Sequence, residues 1–71
     1  MNANKKKALE VAQDLFLEVN ESGEKKNTNA FIANQLQKKC KYACDQSTIY
    51  RWSKKYDWES LFEKIKMQLS L

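Results

Sequence analysis

Histidine and proline are both missing from this 71-residue chain, and glycine occurs once, at Gly23. Without histidine the commonest general base and the commonest metal ligand are gone. A loop that cradles phosphate or strains a nucleophile usually needs glycine. The basic middle of the chain also has no paired carboxylates. No catalytic residues are therefore expected, and the chain reads as a non-enzyme. Cys40 and Cys44 are the only cysteines, fewer than the four ligands a zinc site normally takes. No metal or other cofactor is expected, and the two thiols are expected to stay reduced. No stretch approaches the roughly 18–20 apolar residues of a membrane span. The basic run Lys5–Lys7 is followed by Glu10, Gln13 and Asp14, not by the apolar run of a signal peptide. These absences point to a cytoplasmic protein with no membrane partner.

What is present is apolar content for a core. The hydrophobic fraction is 42%, with two Trp, three Tyr and three Phe, too much for a disordered chain. The length suits one small domain, spanning residues 1–71. Lack of proline favours helices. In residues 5–20, Ala8, Val11, Ala12, Leu15, Phe16 and Val19 share one helical face. Glu10, Asp14, Glu18 and Glu21 share the other, Leu17 is a misfit on the polar side, and an end near Gly23 is expected. The polar stretch Asn20–Asn29 reads as a loop. A second helix is expected over 28–39, capped by Asn27 or Thr28, with Ile32, Ala33, Leu36 and Cys40 inward. Asp45 looks like the N-cap of a third helix from Gln46 to about Tyr56, with Ile49, Trp52, Ser53 and Tyr56 on its inner side. Asp57 is a candidate cap for a fourth helix carrying the stripe Trp58, Leu61, Phe62, Ile65 and Leu69. No segment alternates as a strand would.

The net charge of +4 is unevenly distributed. Residues 25–56 hold seven lysines and one arginine against Asp45 alone, a net +7, and the flanking segments are both acidic. This positive segment coincides with the second and third helices. An α-helix fits the major groove of B-DNA. Arg51 is a forked donor of the kind that reads guanine O6 and N7. Gln46, Ser47 and Thr48 are short polar groups at the helix start, where a recognition helix enters the groove. Lys38, Lys39, Lys41, Lys54 and Lys55 are cations able to reach phosphates, and Tyr50 can bond a phosphate or pack on a thymine methyl. Gln46 and Thr48 also suit first-turn capping.

Thr28-Asn29-Ala30-Phe31-Ile32-Ala33-Asn34-Gln35-Leu36 resembles the first helix of a helix-turn-helix. Ser47-Thr48-Ile49-Tyr50-Arg51-Trp52, followed by Lys54-Lys55-Tyr56-Asp57-Trp58, resembles the recognition helix and Tyr-x-Trp exit of bacteriophage terminase small subunits. That resemblance covers about half the chain. It implies an all-α fold: a small, homeodomain-like three-helix core holding the helix-turn-helix, plus a C-terminal helix. It also implies recognition of a viral packaging site on double-stranded DNA and delivery to the terminase large subunit. Homo-oligomers through the fourth helix or a downstream segment would follow. The interval from Ile32 to Ser47 is longer than a tight helix-turn-helix, so a longer second helix or an extra turn at Cys40–Cys44 is expected. A phage or prophage transcriptional regulator or a transposase-type module would use the same motif. A different class, a protein-interaction domain, would work through the acidic first helix and the fourth-helix stripe.

Overall fold

The computed structural model describes residues 3–69. They form four helices: α1 (Ala3–Phe16), α2 (Asn29–Cys40), α3 (Gln46–Lys55) and α4 (Trp58–Leu69). The protein is all-α, and among the described residues the β pairing is confined to one antiparallel bridge, Val19–Lys25. No helix among them is long and apolar enough to cross a membrane.

α1 stops at Phe16, four residues short of the expected end. In a continued helix the Leu15 carbonyl would accept the Val19 amide. Instead the buried Asn27 side chain donates from Nδ2 to the Leu15 carbonyl at 2.8 Å and to Glu18 Oε2 at 3.1 Å. Val19 then leaves the helix face and bridges Lys25. Gly23 does not cap α1. It sits at φ 79° and its amide closes a turn onto the Asn20 carbonyl at 2.9 Å, a left-handed position that glycine occupies without strain. Asn20 Oδ1 holds the same turn by accepting the Ser22 and Glu24 amides.

α2 begins where Thr28 Oγ1 accepts the Phe31 amide at 3.1 Å, satisfying one orphan donor of the first turn. It runs to Cys40. Lys41 adopts a left-handed φ of 52° and ends it, and the Tyr42 amide returns to the Leu36 carbonyl at 3.2 Å. The long interval before Ser47 is thus filled by α2 itself and then by an irregular strap, residues 41–45. No extra helical turn forms there. Tyr42 lies flat on Trp52, with ring centroids 5.8 Å apart and planes 4° from parallel, and this fixes the strap to α3.

α2 packs against both α1 and α3, and α4 touches α3 and α1. The core is Ala8, Ala12 and Phe16 from α1, Ile32, Ala33, Leu36 and Cys40 from α2, Ile49 and Trp52 from α3, and Trp58 from α4. Each fully buried Ile or Leu contributes roughly 1.5–3 kcal/mol relative to exposure. Two expectations change here. Tyr56, expected inside, is 40% exposed and stacks over Trp58 at 6.2 Å. The α4 stripe divides: Trp58 is 1% exposed and Leu61 packs on the core, while Phe62 and Ile65 are half-buried. The side chain of Leu69 lies outside the described residues. Asp57 turns the chain at φ 54° and its carboxylate accepts the Ser60 hydroxyl at 3.0 Å, so it shapes the α3–α4 corner.

Trp58→Ala is expected to cost about 3–5 kcal/mol, enough to leave so small a protein largely unfolded. Tyr56→Ala should cost much less, about 1 kcal/mol or below, because its ring is already at the rim. Urea denaturation of the two variants checks the ranking.

Candidate nucleic-acid interface

α3 owes its start to Asp45, whose Oδ1 accepts the Thr48 amide at 3.2 Å. Once the helix is set, its inner side is fixed by burial of Ile49, Trp52 and Ser53. The Ser53 hydroxyl donates to the Tyr50 carbonyl at 2.6 Å, so this buried polar group needs no further partner. The opposite side faces solvent. Gln46, Ser47, Tyr50, Arg51, Lys54 and Lys55 are all exposed, Tyr50 at 55%. α3 contains no acidic residue.

Thr48 differs from the rest. It is half-buried, and its hydroxyl lies 3.5 Å from Asp45 Oδ1 and 3.4 Å from Arg51 Nη2. It links the cap to the guanidinium and leaves most of Arg51's donors facing water. Lys54 is placed between two neighbours. Its ammonium donates to both oxygens of Glu59 in the first turn of α4, each at 3.1 Å. It also stands 5.4 Å from the Tyr50 ring centroid. The Glu59 hydrogen bond and charge hold the Lys54 ammonium above its ordinary pKa. Lys55 lies over the Tyr56 ring at 5.4 Å, turned toward the α3–α4 corner.

Lys38 and Lys39 are exposed in the last turn of α2, and Lys41 is exposed on the strap that leads to Asp45. No ion pair engages these three among the described residues. The fold therefore joins Thr48 with Arg51 and Tyr50 with Lys54, and leaves the α2 lysines as separate free-standing cations. Glu59 and Tyr42 were not legible as part of this region. Glu59 reaches Lys54 across the break between α3 and α4, where helical spacing rules give no signal, and Tyr42 falls in a stretch without periodicity.

On the other side of Glu59, an open groove of about 510 Å³ is lined by Phe16, Lys25, Asp57, Glu59, Phe62 and Glu63. Its carboxylates form an acidic border to the basic face. Lys25 belongs to the fold: its ammonium donates to the Asn27 carbonyl at 2.6 Å and to Asn29 Oδ1 at 2.9 Å, and burial lowers its pKa. Cys40 is buried and Cys44 half-buried, both as free thiols. Burial, then the Asp45 charge, pushes the Cys44 thiol up, away from the reactive thiolate. Among the described residues no three His, Cys, Asp or Glu side chains gather as a metal site.

Comparison with protein-family models, curated proteins and solved structures finds no match to this chain. Its functional reading rests on the residues of α2, the strap and α3.

Asp45→Ala is expected to cost about 1 kcal/mol of stability through the lost cap, and Asp45→Asn to retain most of it. Thermal denaturation of both variants checks whether the cap sets the start of α3.

Proposed function

We propose that this protein binds double-stranded DNA through α3, without catalysing a reaction. The observation that carries the reading is the division of α3. Its inner side is committed to the core through Ile49 and Trp52, while Gln46, Ser47, Tyr50, Arg51 and Lys54 are exposed on a helix that has no acidic residue of its own, Lys54 being paired with Glu59 of α4. A helix so divided can lie in a major groove without losing any core contact. Gln46 and Ser47 then meet base edges near the helix start, and Arg51 offers a fork to guanine. Lys38, Lys39, Lys41 and Lys55 take phosphates on either side. Thr48 acts through Arg51 as a positioning residue.

Recognition of a viral packaging site, with transfer of the DNA to a terminase large subunit, is the setting we favour. It rests on the resemblance of Ser47–Trp52 and Tyr56–Trp58 to terminase small subunits. A phage regulator or transposase-type module would use the same face. A protein-interaction role has one supporting observation: Phe62 and Ile65 are half-buried and Met67 is 69% exposed along α4. Commitment of Trp58 and Leu61 to the core leaves that stripe short.

Selection of bound duplexes from a random pool, followed by salt titration, tests the reading. With ~4–6 phosphate contacts, the log–log salt slope is expected near −4 to −5. A slope near zero, or no retention on duplex DNA at low salt, would overturn it in favour of protein interaction. Arg51→Ala should cost about 1–3 kcal/mol of specific affinity and relax the preference at one base position, with little change in thermal stability.

A further inference from the structure

Lys54 is the cation on the α3 face whose charge is already answered. Both Glu59 oxygens stand 3.1 Å from its ammonium, and both side chains are about half exposed. Two carboxylate oxygens at this distance occupy the place that two oxygens of a DNA phosphate would take. Glu59 is held there by the sharp corner at Tyr56–Asp57, which brings the first turn of α4 back beside the last turn of α3. The Tyr50 ring, 5.4 Å from the ammonium, borders Lys54 on its own helix. We propose that Glu59 is an internal phosphate mimic that withholds Lys54 from the DNA backbone and so sets the specificity of the α3 face.

This inference rests on the DNA-binding reading and concerns its regulation. A lysine paired with a carboxylate is locally neutral and carries little weight in counterion release. The pair therefore subtracts from the sequence-independent part of binding and leaves the base contacts of Gln46, Ser47 and Arg51 a larger share. The acidic border formed by Asp57, Glu59 and Glu63 acts in the same direction; among the described residues Glu59 is the one of the three in direct contact with a cation of α3, while Asp57 adds a weaker charge effect on Lys54. Because the pair is exposed, the cost of parting it is small. A phosphate can displace Glu59, but only at the expense of an existing contact.

The test is a salt titration with the full 71-residue chain on a random-sequence duplex of about 20 base pairs, long enough to cover a single-module footprint. Wild type, Glu59→Gln and Glu63→Gln are compared by fluorescence anisotropy, with thermal melts to show that all three fold. Glu63 is one turn further along α4, exposed, and unpaired among the described residues, so its variant measures the effect of removing a nearby negative charge alone. Glu59→Gln is expected to bind about three- to fivefold tighter at 50 mM salt, with a slope steeper by up to about 0.9, the equivalent of at most one added phosphate contact. Glu63→Gln is expected to change affinity less than about twofold and to leave the slope alone. Equal gains in the two variants would overturn the inference and leave the DNA reading standing. So would an unchanged or weaker Glu59→Gln. If wild type and both variants all fail to bind duplex, the DNA reading itself falls, and the inference falls with it.

Discussion

Trp52 and Trp58 meet edge to face with ring centroids 6.4 Å apart, and the other elements are arranged around that contact. Phe16 of α1 leans on Trp58 at 5.5 Å, and Tyr42 of the strap lies flat on Trp52 at 5.8 Å. Four aromatic rings thus tie α1, the strap, α3 and α4 into one continuous run. Such pairs contribute about 0.5–1.5 kcal/mol each beyond their area burial. A chain of this length has few other large side chains with which to offset its conformational entropy. The inner orientation of Trp52 also dictates the outer orientation of Arg51, since adjacent helical residues point about 100° apart. The solvent face of α3 is in that sense a by-product of how the tryptophans pack.

Polar contacts do the finer work of ending and joining helices. Asn27, buried against α1, takes the Leu15 carbonyl that a longer helix would have used. Asp45 and Thr28 start α3 and α2 with side-chain oxygens, and no buried side-chain polar atom among the described residues lacks a partner. A small core tolerates few unpaired groups, because each would remove a sizeable part of the net stability.

The helices whose ends are set locally were legible in the sequence. α2 and α3 fall within about one residue of expectation, because Thr28, Asp45 and the apolar spacing all act within a turn of the boundary they define. The end of α1 was not, since it depends on Asn27, twelve residues beyond Leu15. Periodicity assigned Tyr56 to the core, but the chain turns immediately after it and gives the interior place to Trp58. The candidate face of α3 followed from the same spacing that located Ile49 and Trp52, so every outward residue except Thr48 is exposed as expected. The Lys54–Glu59 pair was invisible because it spans two helices and depends on the angle of the corner between them.

The two non-glycine residues with positive φ, Lys41 at 52° and Asp57 at 54°, stand on either side of α3. Together with the cap at Asp45 and the anchors at Ile49 and Trp52, they fix where the helix begins, how it is rotated and where it stops. None of those determinants is Gln46, Ser47, Tyr50 or Arg51. These four positions can be exchanged for other helix-compatible polar residues with little effect on the scaffold. The outer surface of α3 is therefore free to change its chemistry without any change in the fold that presents it.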